Sequence, residues 1–253
     1  MHEKAPVETA ILRDCPVAPA AASLVAIHAL VMPAAQLQPP LPGLPMVRVL
    51  DSDEQRRWNA MHRPDDRDRF LASRALVKAV VAAQRGCHPR GVRVTALSGR
   101  RPQVVGFEAS RVSISHTRGL VLVACCMQGD IGIDCEYIDH TLDTAALARR
   151  FFGPPEHQTL SQLDDAQPND GFFRLWTGKE ALAKASGAGL DAVLSANLHD
   201  LLAKPHQAHH GPWMVRSLPP IAHCAMAVAA AGSAWQHEVH CWDASALVEA
   251  WSG

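Results

Sequence analysis

The sequence predicts an α+β protein built as a pseudo-twofold tandem of two similar α/β halves. Short apolar runs of strand character alternate with longer helical stretches, and the order strand, helices, strands occurs twice. Ala75-Leu76-x-Lys78-Ala79 recurs as Ala181-Leu182-x-Lys184-Ala185, 106 residues later. The strand beginning at Leu24 lines up with the strand beginning at Ile131, 107 residues later. Short Ala/Leu/Lys helices resemble one another by chance. A nearly equal offset at two separate elements favours a duplicated unit. The expected division is an N-terminal extension over 1–20, an N-terminal half over 21–129 and a C-terminal half over 130–253. Paired halves commonly hold their ligand cleft at the junction.

The elements follow in order. Residues 24–31 form an apolar run ended by Pro33 and read as a strand, and the Pro-rich stretch 32–45 reads as loop. Asp51, Ser52 and Asp53 can cap a helix starting near Glu54. A longer helix is expected over 65–84, anchored by Phe70, Leu76, Val77 and Val80 and ended by Gly86. Strands are expected at 92–96, 112–115, 120–127 and 131–138. Helices follow at 143–152 and 171–186, the second stopped by Gly187 and Gly189. A polar, His-rich loop spans 201–211, and strands at 213–217, 223–229 and 238–242 close the chain.

Composition narrows the function classes. With 48% hydrophobic and 19% charged residues, the 253-residue chain has the make-up of an ordinary soluble globular protein. Its net charge of −1 supplies no global field for nucleic acid, so any anion site must be a local basic cluster. Seven cysteines without regular spacing fit reduced thiols in the cytoplasm rather than a disulfide framework. Residues 1–16 carry charges where a signal peptide needs an apolar core, and no uncharged run is long enough to span a bilayer. Neither a membrane nor a nucleic acid is an expected partner.

Three segments carry chemistry. In Ile131-Gly132-Ile133-Asp134-Cys135-Glu136, strand alternation sends Ile131, Ile133 and Cys135 to a core. Gly132, Asp134 and Glu136 share the other face, with Gly132 expected to leave open space beside two carboxylates. Two like charges this close call for a proton or a hard cation such as Mg²⁺. On the D-x-E spacing alone, two solvent-facing carboxylates are the commoner arrangement. In the second segment, 172–184, helical spacing places Thr177, Glu180 and Lys184 on one face and Phe172, Leu175 and Leu182 on another. A surface Glu-Lys pair is the ordinary reading of such spacing, but the aromatic cluster beside it argues for burial. A third carboxylate from this helix would complete a magnesium site. The third segment, Ser113-Ile114-Ser115-His116-Thr117, delivers a hydroxyl and an imidazole at a strand end. Near it in sequence lie the turn Gly99-Arg100-Arg101-Pro102 and the basic run 63–74, whose arginines, taken singly, are ordinary surface charges or phosphate grips.

Taken together, these segments resemble the Sfp-type 4'-phosphopantetheinyl transferases. The resemblance runs through Arg67-Asp68-Arg69-Phe70, Gly99-Arg100-Arg101-Pro102, Ser113 to Thr117, Ile131 to Glu136, Arg150-Phe151-Phe152 and Trp176-Thr177-Gly178-Lys179-Glu180-Ala181-x-x-Lys184. It implies two similar α+β halves in one chain. It also implies a transfer of phosphopantetheine from coenzyme A to a serine of an acyl or peptidyl carrier protein. By this resemblance Asp134, Glu136 and Glu180 match magnesium ligands, and Ser115, His116 and Lys184 match coenzyme A phosphate contacts. Arg101 stands where the family's turn usually has Lys, and Arg63 and Arg69 are further phosphate contacts. Glu180 is the candidate base, directly or through a water, and Lys179 orients either Glu180 or a phosphate. Arg149, Arg150, Phe151 and Phe152 are candidates for receiving the carrier, although a helix-core role suits the two Phe equally. An internal duplication makes a monomer sufficient. Two other readings compete. A magnesium nuclease would need an acidic-x-Lys on the strand, which Glu136-Tyr137-Ile138 lacks. A non-catalytic coenzyme A-binding module would have no reason to keep three carboxylates.

Overall fold

The computed structural model describes residues 23–32, 44–95, 101–106, 111–127, 129–163, 168–232 and 235–252. The expected extension over 1–20, most of the loop 32–45 and the Gly99-Arg100 part of the basic turn lie outside the described residues. The first half runs β1 (Ser23–Val31), α1 (Met46–Val49), α2 (Ser52–Ala60), α3 (Pro64–Arg85), β2 (Val94–Thr95), β3 (Gln103–Val104), β4 (Arg111–Thr117) and β5 (Leu120–Cys126). The second runs β6 (Ile131–Tyr137), α4 (Thr144–Phe151), α5 (Pro154–Leu160), α6 (Pro168–Ser186), α7 (Leu190–Val193), β7 (Gln207–His210), β8 (Trp213–Ile221), β9 (Cys224–Ala231), β10 (Trp235–Trp242) and α8 (Ala244–Ala250).

Local chemistry explains the boundaries. Asp51 caps α2 and accepts from the N–H groups of Asp53 and Glu54, while the Glu54 carboxylate reaches back to the Asp51 N–H. Pro64 opens α3 with Asp65 and Asp66 in the first turn, and Gly86, at φ 63°, ends it in the left-handed region. The run 201–211, expected as loop, holds β7, which pairs with β8. Its alternating small and polar residues did not announce a strand. The helices α5 and α8 were not expected either. The first opens on Pro154-Pro155, a pair that reads as loop but sits well in a helix's first turn.

The two halves share a topology. In one sheet the order is β10-β1-β5-β4-β3-β2; in the other it is β6-β9-β8-β7. Each begins with a strand, β1 or β6, paired antiparallel to the last strand of a hairpin, β5 or β9. Each also lays a long helix, α3 or α6, on its sheet. Val25, Ile27 and Ala29 of β1 share one core with Ile131, Ile133 and Cys135 of β6. Matching these core faces sets the strand offset at 106, the same as in the helices. The offset of 107 expected from Leu24 and Ile131 pairs opposite faces, since Leu24 is exposed and Ile131 buried; a slip of one residue inverts a strand. The halves also interlock. Strand β10 pairs in parallel with β1, and α8 packs under α3, where the Trp251 indole donates to the Ala75 carbonyl at 3.2 Å. Among the described residues no helix is long and apolar enough to cross a membrane.

Candidate active site

The site starts at a missing side chain. A Cβ on Gly132 would lie 2.0 Å from the Ala181 carbonyl oxygen and 2.4 Å from the Ala185 nitrogen. The backbone of α6 therefore rests directly on β6. The sequence suggested open space beside Gly132; the structure fills it with the helix. This contact brings Glu180 and Lys184, which flank Ala181 and Ala185, up to the carboxylate face of β6.

Asp134 is the centre of the arrangement. Its Oδ1 accepts from the Ser115 hydroxyl at 2.8 Å and from the Lys184 ammonium at 2.7 Å. Lys184 also donates to the Ile133 carbonyl and to Ser115 Oγ, both at 3.1 Å, so its three N–H bonds are in use. Asp134 Oδ2 is buried and has no partner. Glu136 lies near enough for electrostatic coupling. Burial first, then the charges of Asp134 and Glu180, push its carboxyl up to about 7. Burial and the Asp134 charge raise Glu180 as well. Three carboxylates with one lysine leave an excess of negative charge in a partly dry place.

His116, Arg69 and Arg101 fall around this centre. His116 follows Ser115 on β4 with its side chain open to solvent. Partial desolvation, then the nearby Arg69 and Lys184 cations, hold its imidazole below the usual histidine range. Arg69 pairs with Asp66 at 2.6 Å. Arg63 is exposed at the cap of α3. Arg101 binds Asp130 at 2.5 Å and donates to the Ala185 carbonyl, so it clasps the C-terminal end of α6. A cleft of about 330 Å³ runs between the halves, lined by Arg101, Pro102, Ser113, Glu180, Lys184 and Gly187 among others.

Lys179 departs from the expectation that it orients Glu180 or a phosphate. Its side chain is 0% exposed and faces Glu156 at 2.9 Å. The amine also donates to the carbonyls of Leu194 and Ala196, at 2.9 and 2.5 Å. All three donors are spent inside the second half and the side chain is sealed from the cleft, so it cannot reach a phosphate, whereas Lys184 is partly exposed and lines the cleft. Adjacent helical residues point about 100° apart, and that rotation separates Lys179 from the face of Glu180. Of the carrier candidates, Phe152 is buried and Phe151 packs edge-on against Trp176, while Arg149 and Arg150 are exposed.

Among the described residues no group of three His, Cys, Asp or Glu side chains is placed to hold a metal ion. The donor chemistry nevertheless fits a hard divalent cation. All candidate donors are carboxylate oxygens, one of them a buried orphan on Asp134, and the surplus charge is the kind that a cation relieves. Two contributions to the site escaped the sequence. One is the close approach at Gly132, which depends on what lies across from it. The other is the pair Ser113 and Thr117, whose alternation with Ser115 was the available signal.

The residues 130–240 match the family model described as the 4'-phosphopantetheinyl transferase superfamily. The chain is 35% identical over 196 residues to the 4'-phosphopantetheinyl transferase HetI of Nostoc sp., covering 76% of this chain and 82% of that relative. It is 28% identical over 172 residues to the 4'-phosphopantetheinyl transferase Sfp of Bacillus subtilis, covering 62% of this chain and 75% of the relative. Agreement at that level across most of both chains, added to two similar halves in one α+β fold, is decisive: the chain belongs to the 4'-phosphopantetheinyl transferase superfamily and is an enzyme of that kind.

Proposed function

We propose that the chain transfers the 4'-phosphopantetheine group of coenzyme A to a serine of an acyl or peptidyl carrier protein, releasing adenosine 3',5'-bisphosphate. The observation that carries this reading is the convergence on Asp134. Glu180 and Lys184 line the cleft between the halves, and behind them Lys184 and Ser115 hold the buried Asp134, whose charge acts on both Glu136 and Glu180. Asp134, Glu136 and Glu180 are the residues that would hold Mg²⁺, the second half carrying all three. Bound there, Mg²⁺ supplies neutralisation of the coenzyme A diphosphate and of the charge that builds on it during transfer.

The protein's own groups do the rest. Lys184, Ser115 and His116 form one edge of the phosphate subsite, and Arg69, Arg63 and Arg101 supply positive charge around it. Lys184 now neutralises Asp134; with substrate present its ammonium faces the phosphates as well. The carrier serine oxygen forms a bond to the phosphorus next to pantetheine, and the bond to the adenosine bisphosphate oxygen breaks. The serine proton passes to the Glu180 carboxylate, whose raised proton affinity suits a base. Lys179 has no place in this scheme except to hold α6 on its neighbours through Glu156.

Mass spectrometry of an apo carrier protein incubated with the chain, coenzyme A and Mg²⁺ tests the proposal. The carrier is expected to gain one phosphopantetheine. An unmodified carrier together with cleavage of DNA under the same conditions would support the nuclease instead.

A further inference from the structure

The strand that carries the two carboxylates is the edge of its sheet. On one side β6 pairs with β9; on the other it has no strand partner among the described residues. In an antiparallel edge strand every second residue turns its N–H outward, and a buried outward N–H needs an acceptor. Here the acceptors are side chains of β4 in the other half. The N–H of Ile133 donates to Ser113 Oγ at 3.0 Å, that of Cys135 to Ser115 Oγ at 3.4 Å and that of Tyr137 to Thr117 Oγ1 at 3.1 Å. Three hydroxyls spaced by two match three amides spaced by two, so a ladder of side chains replaces a strand.

Two of the rungs do more than accept. Ser115 donates to the Asp134 carboxylate, and Thr117 lies 3.5 Å from Glu136 Oε2, at the limit of hydrogen-bond reach. Each hydroxyl has one proton to give and lone pairs to receive, which is the count these contacts need. Every rung therefore takes the N–H of one β6 residue and faces the side chain of the residue before it. For Ser115 that side chain is Asp134 and for Thr117 it is Glu136. For Ser113 it is Gly132, which has none.

We infer that Thr117 is a positioning residue for Glu136: its hydroxyl fixes the strand register through the Tyr137 N–H and aims the Glu136 carboxylate into the site, while Ser113 fixes register alone. Thr117 acts through Glu136 and touches no substrate. The inference rests on the reading of Asp134, Glu136 and Glu180 as the cation-holding carboxylates. Because the rungs cross from one half to the other, they also tie the site's geometry to how the halves sit together.

The test compares Thr117→Val, Thr117→Ser and Ser113→Ala in the full chain. Amide hydrogen exchange at Ile133 and Tyr137 is read beside steady-state transfer with Mg²⁺ varied. Thr117→Val keeps the shape and removes the hydroxyl. Tyr137 exchange is expected to speed up about tenfold or more. The Mg²⁺ concentration for half-maximal rate is expected to rise by about tenfold, the range for partners that orient metal ligands. Thr117→Ser should restore both. Ser113→Ala should speed exchange at Ile133 and shift the Mg²⁺ dependence several-fold less than Thr117→Val does, a separation that a general loss of stability would not produce. Unchanged Mg²⁺ dependence in a folded Thr117→Val chain, or equal shifts in Thr117→Val and Ser113→Ala, would overturn the inference. Normal turnover in Glu136→Gln would overturn the site reading beneath it, and is distinguishable because the exchange effects of Thr117→Val would persist.

Discussion

In the second half α6 lies on β6 at Gly132; in the first, the place 106 residues earlier is Ala26, and α3 touches β1 only sparsely. The same offset sets His28, Leu30, Arg74 and Lys78 opposite Asp134, Glu136, Glu180 and Lys184. The first-half polar residues bond within their own surroundings, although His28 Nε2 and one Arg74 nitrogen stay buried without a hydrogen-bond partner. Lys78 donates to the Val49 carbonyl at 2.8 Å and to Glu54 at 2.6 Å. Arg74 faces Glu54 at 3.4 Å and lies over the Phe70 ring. His28 accepts from the Trp242 indole at 3.1 Å and stacks on His240. The two halves thus share a scaffold and differ in charge balance. In the first, two buried cations answer one carboxylate, Glu54; in the second, carboxylates outnumber the lysine that answers them. One missing Cβ lets the helix close on the strand and concentrates that imbalance in one place.

The sharpest way to break this comparison is to exchange its consequences. Asp134→Ala is expected to lower carrier modification on the order of a thousandfold, about 4 kcal/mol of barrier, with the fold intact by circular dichroism. His28→Asn, its first-half counterpart, should leave the rate per folded molecule within a few-fold. Comparable loss in both variants would mean that the halves contribute alike. Next in size, both buried lysines should matter for stability and not for turnover. Lys179→Met strands the Glu156 carboxylate and should cost about 3–5 kcal/mol in denaturant unfolding, and Lys78→Met, which leaves Glu54 beside Arg74, should cost less. Turnover per folded molecule should survive both changes, and a Lys179→Met chain that is stable but inactive would return Lys179 to the chemistry.

Gly132→Ala should cost about 3 kcal/mol in urea unfolding, because the new Cβ meets helix backbone that has no easy retreat. Ala26→Gly should cost only about 0.5–1 kcal/mol, the loss ordinarily seen for glycine within a strand. Equal costs at the two positions would remove the close approach as the distinguishing feature.

The smallest expected effects are with pH, and the halves should move in opposite directions. Glu136 rises from 4.5 to about 7 on folding, so between those values the native chain holds a proton that the unfolded chain lacks. Its contribution favours the fold at low pH and is lost as pH rises through about 7 without a cation. His28 falls from 6.5 to about 4, owing to burial and then to His240, so its contribution is present above 6.5 and lost as pH drops towards 4. In metal-free calorimetry Glu136→Gln should flatten the loss of Tm between pH 5 and 8. His28→Asn should flatten the loss between pH 6.5 and 4.

Much of this was legible in the sequence, and what was not has a common cause. Strand alternation placed Asp134 and Glu136 on one face, and the aromatic cluster marked α6 as buried, because both signals are local. The duplicated halves were visible in repeated Ala/Leu/Lys helices, although the strand register came out one residue off. The membership of β10 in the first sheet depends on pairing between residues about 210 apart in the chain, such as His28 and His240, which no local pattern encodes. The direction of Lys179 depended on Glu156 waiting beneath it. The rungs of Ser113 and Thr117 became visible only when β6 lay across β4.

The most direct measurement is a titration with Mn²⁺ in the presence of coenzyme A, followed by electron paramagnetic resonance. One tightly held ion per chain is expected, lost in Asp134→Asn and retained in Lys78→Met. Undiminished binding of that ion by Asp134→Asn would contradict the assignment of the cation to the second half's carboxylates.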